Sequence, residues 1–283
     1  MAGDFTAELV ACLGDPVREN PTGVMQEAAF RALGLNWRYL TIAVPPANLR
    51  DAVTGIRAFG MRGANLTIPH KVAVMDHLDQ IAPDAALIAV NTVRREGDRL
   101  IGENTDGKGF LRGLRLDARV EPKGKRAVVL GAGGAARAIV TELALAGASD
   151  ILIVNRSIQR GERMVAELAQ KTKAPIRFAA WLGTFRIPPD IDLLVNATSI
   201  GLYPDVGAMP AIDLSRAAPR MLVSDAVPNP PETALLQAAR RLGLPVLDGL
   251  SMLVHQGAIG FRMWTAQEPP VSVMKEALLS AFE

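Results

Sequence analysis

Lys71 closes the stretch GANLTIPHK (Gly63–Lys71), in which an apolar run breaks at Pro69 and a new helix begins. A lysine amine can relay a proton, and the start of a helix disfavours its positive charge relative to the neutral form. An exposed surface lysine is the commoner fate of a single Lys, so spacing alone leaves both readings open. Two further polar stretches follow apolar runs: AVNTV with Asn91, and ENTDGKG with Asn104, Thr105 and Asp106. In parallel α/β sheets ligands gather beyond the carboxyl ends of strands, so such loops can converge. Asp106 is equally suited to cap the helix that follows it. The loop GDPVRENPTG after LVACL poses the same choice, since Asn20 and Thr22 can start a helix or hold a ligand.

The middle of the chain, RAVVLGAGGAARAIVTELALAG, carries a second kind of chemistry. A strand ends at Leu130, glycines follow at Gly131, Gly133 and Gly134, then Ala135 and an apolar helix. Glycines at a strand-to-helix turn let the backbone approach a pyrophosphate, which free N–H groups of the helix then bind. A tight turn made only for packing is the alternative, less fitting in a strand–turn–helix setting. The next strand ends in ILIVNRS, placing Asn155 and Arg156 where NAD-binding proteins carry an acid for the ribose 2′-hydroxyl. Here Arg156, Ser157 and Arg160 stand instead, and a guanidinium pairs with a 2′-phosphate that a carboxylate would repel. The expectation is NADP rather than NAD, although Ser157 also suits a helix N-cap and Arg160 a solvated helix face.

These residues need elements to hold them. LVACL reads as a strand, TGVMQEAAFRALG as a helix with Gly34 just past its end, WRYLTIAV as a strand, PPANLRDAVTGIRAFG as a helix and GANLTI as a strand. The run from Ile88 to Glu103 reads as two strands joined by a turn at Glu96–Asp98. A connecting helix covers TDGKGFLRGL, and the polar stretch DARVEPKGKR after it is the best linker candidate. A second alternation then runs through RAVVL, ILIVN, IDLLVNAT, MLVSDAV and PVLDG, with helices from about Gly134 and Ser157. Two helical patterns, SMLVHQGAIGFRMWTA and PVSVMKEALLSAF, close the chain. Such alternation gives an α/β protein with mostly parallel sheets covered by helices.

The 283 residues exceed one typical domain, and 49% hydrophobic with 21% charged residues suits a soluble globular chain. A net charge of +2 with scattered basic residues speaks against nucleic-acid or membrane partners. The N-terminal MAGDFTAEL lacks a signal-peptide pattern, and the longest apolar region is broken by charges, so a cytoplasmic location is expected. Cys12 is the only cysteine, and its apolar run makes it a packed core thiol. His70, His77 and His255 show no metal-ligand spacing, so no metal is expected, and no GxSxG elbow supports an acyl-serine mechanism.

Taken in order, GANLTIPHK, AVNT, NTDGKGF, GAGGAARA, NRS, NATSIGL and GLSMLVHQ resemble the motifs of the shikimate dehydrogenase family over nearly the whole chain. That resemblance implies an N-terminal α/β substrate domain (1–106 and 249–283), a Rossmann-like NADP-binding domain (107–248), and an active site in the interdomain cleft. It implies reversible reduction of 3-dehydroshikimate to shikimate, or action on quinate or another hydroaromatic acid, by a monomer or homodimer. The family's catalytic pair falls on Lys71 and Asp106, and its substrate contacts on Thr67, Asn91 and Gln256. Cofactor positions fall on Gly131, Gly133, Gly134 and Ala135 for the phosphates, and on Asn155, Arg156, Ser157 and Arg160 for the adenosine phosphate. Thr198, in NATSIGL, falls beside the nicotinamide.

The chain also departs from the family pattern. Asn20 and Thr22 replace the Ser-x-Ser that holds the substrate carboxylate, Gly23 replaces a proline, and Gln26–Glu27 replaces a His-Asn pair. A tyrosine becomes Pro228, and two glycines become Ile88 and Ser251. Glu27 would repel a carboxylate if it faced the pocket. The cofactor and proton-transfer motifs are intact, whereas the positions that choose the substrate are altered. The same losses also motivate a third reading, a non-catalytic NADP-binding regulator, which the retained Lys71/Asp106 pair argues against.

Overall fold

The computed structural model describes residues 5–282, which divide into two units, one made of the described residues up to 105 and from 256 onward, the other 106–255. In the first unit, β1 (Glu8–Gly14) takes up the LVACL run and α1 (Thr22–Ala32) follows the polar loop. Gly34, at φ +64°, ends that helix in the left-handed region that glycine adopts without strain. β2 (Trp37–Ala43), α2 (Leu49–Ala58) and β3 (Gly63–Leu66) complete the first alternation. The one-turn α3 (His70–Ala73), the two-residue β4 (Gln80–Ile81) and the one-turn α4 (Ala85–Ile88) come next. β5 (Thr92–Glu96) and β6 (Arg99–Glu103) form a hairpin about Gly97, whose φ is +59°. The run from Ile88 therefore begins as a helical turn rather than a strand. Val90 N–H is taken by Lys71 O at 2.9 Å, outside any strand ladder.

The sheet order β2-β1-β3-β5-β6-β4 gathers chain ends on one edge. β3 runs parallel to β1 and antiparallel to β5, with Asn65 opposite Thr92 and Thr92 opposite Glu103. The carboxyl ends of β1, β3 and β6 and the start of β5 therefore share an edge, where loops 15–21, 67–71, 89–91 and 104–105 emerge. Beneath them Ala11, Leu13, Val53, Ile56, Leu66, Val93 and Leu100 form one buried cluster. Each large apolar side chain so buried contributes about 1.5–3 kcal/mol.

The second unit opens with α5 (Asp106–Leu116) and continues through β7 (Arg126–Leu130), α6 (Gly134–Leu145), β8 (Asp150–Asn155), α7 (Ile158–Ala169) and β9 (Ile176–Ala180). β10 (Phe185–Arg186), β11 (Leu193–Asn196), β12 (Ile212–Asp213), β13 (Leu222–Asp225), α8 (Ala234–Arg241) and β14 (Val246–Leu247) follow. All pairings of the sheet β14-β13-β11-β7-β8-β9 are parallel. Both faces are covered, as all-parallel sheets require: Ala127 and Val129 join one buried cluster, Val128 and Leu130 the other. The polar stretch is a loop inside this unit from 117 to 125, between α5 and β7, and its last residue, Arg126, begins β7. The chain changes unit at 105/106 and again at 255/256, within α9 (Gly249–Thr265). α10 (Val271–Phe282) then packs on α1. Among the described residues no helix is long and apolar enough to cross a membrane.

Candidate active site

In the first unit the sheet edge is held together by short backbone bonds. Thr67 N–H donates to Leu13 O at 3.0 Å, and Asp15 N–H to Ile68 O at 2.9 Å. Gly14 allows this approach, because a Cβ there would lie 2.3 Å from Thr67 Cγ2. Thr67 thus sits against the end of β1, beside the loop carrying Asn20 and Thr22. Thr22 N–H donates to Asn20 Oδ1 at 3.0 Å, so the asparagine shapes the turn that opens α1. Glu27 does not face this loop's ligand side: its Oε1 accepts from Tyr39 N–H at 2.6 Å, and its other oxygen lies 3.8 Å from Arg31.

Lys71 belongs to α3, which is pinned by buried His70, whose Nε2 lies 2.6 Å from Val44 O. One turn aligns few peptide dipoles, so the helix effect that would disfavour a charged lysine is small here. Lys71 O holds Val90 N–H, placing the lysine beside Asn91. Asn91, buried, accepts from Thr105 N–H at 2.7 Å and donates through Nδ2 to Thr105 Oγ1 at 3.0 Å. Thr105 Oγ1 lies 3.3 Å from Gln256 Oε1, joining residues 151 positions apart. Gln26 Nε2 donates to Gly257 O at 2.9 Å, which seats α1 against α9 next to Gln256. Asn91, Thr105 and Gln256 thus form one bonded group beside Lys71. Asp106 follows Thr105 directly and opens α5.

Several residues that hold this group carry no spacing signal in the sequence. Tyr39 Oη donates to Asn65 Oδ1 at 2.7 Å, Asn65 Nδ2 to Thr92 Oγ1 at 2.9 Å, and Thr92 Oγ1 lies 3.1 Å from Thr105 Oγ1. Burial pushes the Tyr39 hydroxyl well above its usual range, with Cys12 adding to the shift, so it stays a neutral donor. Burial likewise pushes the Cys12 thiol up to about 11, against a Tyr39 hydrogen bond and the charge of Lys71. Only the sheet register, with Asn65 opposite Thr92, brings these residues together.

The second unit builds a different site around the β7–α6 turn. Gly131 has φ +110°, and a Cβ there would stand 3.0 Å from Ala197 O and 3.1 Å from Thr198 Cγ2. Packing therefore explains Gly131. It does not explain Gly133 and Gly134, where an added Cβ would meet nothing within 4 Å. Both are exposed, and α6 has no side-chain cap over its first N–H groups. Open space above uncapped N–H groups fits the phosphates of a dinucleotide, with Ala135 in the same turn. Thr198 donates through Oγ1 to Asn196 Oδ1 at 2.7 Å and accepts from Ile200 N–H at 3.1 Å, so its hydroxyl shapes its own loop.

At the end of β8, Asn155 Nδ2 donates to Ser157 O at 2.9 Å. Ser157 caps α7, its Oγ accepting from Arg160 N–H at 3.4 Å. Arg156 and Arg160 are exposed, and among the described residues no carboxylate pairs with either guanidinium. Asp225 accepts from Asn196 Nδ2 at 3.0 Å, Val227 N–H at 3.0 Å and Thr233 Oγ1 at 2.8 Å, tying the ends of β11 and β13. Burial nevertheless raises its pKa above the usual carboxylate value, outweighing those bonds. Ser251 Oγ donates to Asp117 Oδ2 at 2.6 Å, and a Cβ on Gly113 would lie 2.1 Å from that Oγ. The serine at this position is thus accommodated by a glycine on α5. Pro228 lies in the loop after β13.

Comparison with known proteins gives a family for the chain. Residues 12–93 match the shikimate dehydrogenase substrate binding domain, 116–228 the shikimate / quinate 5-dehydrogenase family, and 249–279 the shikimate 5′-dehydrogenase C-terminal domain. The shikimate dehydrogenase (NADP(+)) of Methanopyrus kandleri is 44% identical over 98% of this chain and 96% of its own. The ligand-free 5-ketofructose reductase of Gluconobacter sp. strain CHM43 superposes with TM-score 0.94 at 46% identity, covering 99% of this chain and 100% of that one. Shikimate 5-dehydrogenase of Thermus thermophilus, in complex with NADP(H) and shikimate, gives TM-score 0.83 at 36% identity, covering 97% and 99%.

Proposed function

Because the chain belongs to the shikimate dehydrogenase family, we propose that it is an NADP-dependent oxidoreductase acting on a CH–OH group, reducing 3-dehydroshikimate reversibly to shikimate. The observation that carries this reading is the bonded group Asn91–Thr105–Gln256, joined through Val90 to the backbone of Lys71. Asn91, Gln256 and Thr67 read the substrate's oxygen atoms, and Asn20 and Thr22 donate to its carboxylate. Gly133 and Gly134 leave room for the pyrophosphate in the turn that Gly131 and Ala135 complete. Arg156 and Arg160 pair with the 2′-phosphate, beside Asn155 and the Ser157 cap, while Thr198 shapes the loop on the nicotinamide side. When bound, the nicotinamide supplies or accepts a hydride at the substrate carbon. Lys71 passes the accompanying proton to or from the substrate oxygen, and Asp106 orients Lys71. The single cysteine, kept as a buried thiol, suits a cytoplasmic enzyme.

A second reading has a specific observation behind it. The Gluconobacter structure, 46% identical, is named for reduction of 5-ketofructose. The loop expected to hold a carboxylate carries Asn20 and Thr22, and an amide and a hydroxyl serve a sugar hydroxyl as well as a carboxylate. Steady-state assays with NADPH on 3-dehydroshikimate and 5-ketofructose, and with NADP on shikimate and quinate, decide between the two. A kcat/KM for 3-dehydroshikimate well above the rest supports the first reading. A reversed order transfers the assignment to a neutral ketose. Absence of turnover on every member contradicts both.

A further inference from the structure

Asn196 and Asp225 stand opposite each other in register as the last residues of β11 and β13. The orientation of the Asn196 amide is set by backbone groups that have one role only. Thr198 N–H can only donate, and it reaches Asn196 Oδ1 at 3.2 Å. Ile200 O can only accept, and it takes Asn196 Nδ2 at 3.2 Å. Thr198 Oγ1 receives Ile200 N–H at 3.1 Å and sends its own hydrogen to Asn196 Oδ1 at 2.7 Å. The second hydrogen of Asn196 Nδ2 goes to Asp225 Oδ1 at 3.0 Å, which also takes Val227 N–H at 3.0 Å. Thr233 Oγ1 receives Leu236 N–H at 3.4 Å, so its hydrogen goes to Asp225 Oδ2 at 2.8 Å. Asp225 is buried, its three partners are all donors, and among the described residues no cation pairs with it. One buried carboxylate thus holds loop 197–201 through Asn196 and loop 226–228 directly.

The sheet order β14-β13-β11-β7-β8-β9 changes direction at β7: the chain runs outward through β8 and β9, then returns to the other side for β11, β13 and β14. A dinucleotide crosses such a sheet at that switch point, with one mononucleotide over each half. Arg156 and Arg160, which follow β8, belong to the adenosine half on the proposed reading, so the nicotinamide half falls over β11 and β13. Loop 197–201 also abuts the phosphate turn, since a Cβ on Gly131 would lie 3.0 Å from Ala197 O. We infer that Asp225 is a positioning residue for the nicotinamide half of the cofactor, holding both loops beneath it through Asn196 and the Val227 N–H. This rests on the reading that NADP lies across the glycine turn with its 2′-phosphate at Arg156 and Arg160.

Asp225→Ala removes all three bonds, whereas Asp225→Asn keeps an oxygen for Asn196 and Val227. Loops freed in the unbound protein must be ordered on binding, so Asp225→Ala should weaken NADP+ binding about tenfold in calorimetric titration. Adenosine 2′,5′-bisphosphate, which lacks the nicotinamide half, should bind within about twofold of its wild-type affinity, as a distant and independent site does. Asp225→Asn should bind NADP+ within about threefold of wild type, because its neutral hydrogen bonds keep the same geometry. If Asp225→Ala does not fold, Asp225→Ser carries the same prediction, since its hydroxyl still accepts Val227 N–H but does not reach Asn196. Equal weakening of both ligands marks a merely structural role and overturns the inference. So does unchanged NADP+ binding, or an Asp225→Asn variant as weak as Asp225→Ala. In the ¹⁵N-labelled wild type, the backbone amides of Thr198, Ile200 and Val227 should shift on adding NADP+ and not on adding the bisphosphate. Amides indifferent to NADP+ overturn the inference without any variant. A wild type that binds neither ligand removes the cofactor reading itself, and the inference with it, so the two failures are distinguishable.

Discussion

At the scale of single residues, the two arginines at the start of α7 and the one cysteine make opposite predictions about exposure. Arg156 and Arg160 are solvent-facing and unpaired with carboxylates among the described residues, so they are available to a 2′-phosphate. Arg156→Asp replaces attraction by repulsion and should raise KM for NADP about 10- to 100-fold, as loss of a charge-assisted hydrogen bond implies, while changing KM for NAD little. Equal effects on both cofactors would reject a phosphate-reading role. Cys12 has 1% exposure and a thiol held up at about 11, so at pH 8 a thiol reagent should find nothing in the native protein and one group after unfolding. The arginines are readable in NRSIQR because charge at a fixed offset from a glycine turn has a mechanical meaning. Tyr39, Asn65 and Thr92 are not readable in that way. Each is an ordinary polar residue in a strand, and only pairing across β3 and β5 makes them one network.

At the scale of elements, turn chemistry and apolar periodicity are the parts that sequence displays. β1, α1, β2, β3, β7, α6, β8 and α7 lie where runs and glycines place them, because each boundary is a local event. The one-turn α3 and α4 and the two-residue β4, β10 and β12 are too short for any period, and tertiary bonds create them. Two element junctions are open to direct tests. Gly249 begins α9 against the loop after β13, where an added Cβ would stand 2.2 Å from Val227 O. Backbone cannot yield as a flexible side chain does, so Gly249→Ala should destabilise by about 1–3 kcal/mol in urea unfolding. Asp225 joins β11 to β13 with a pKa raised by burial, so its proton binds more tightly in the folded than in the unfolded chain. That contribution to stability is present below the ordinary value of 3.8 and is lost as pH rises through the folded value. The stability of Asp225→Asn relative to wild type should therefore improve as pH rises from about 3 to about 7. A difference that stays constant, or that moves against the variant as pH rises, would contradict this.

At the scale of the whole molecule, the labour is divided. The first unit carries Lys71 and the bonded group Asn91–Thr105–Gln256, and the second carries the glycine turn with Arg156 and Arg160. The loop proposed to choose the substrate is the least legible part, because Asn20 and Thr22 can donate to a carboxylate or to a sugar hydroxyl with the same atoms. Asn20 Oδ1 is already occupied by Thr22 N–H, a fact visible only once the loop is folded. Lys71→Ala tests the division most directly, read both as kcat with the preferred substrate of the panel and as NADP dissociation constant. Removal of a general acid–base group predicts kcat lower by about 10²–10⁴-fold with NADP affinity within about twofold of wild type. Retained turnover, or a parallel loss of NADP binding, would contradict the account.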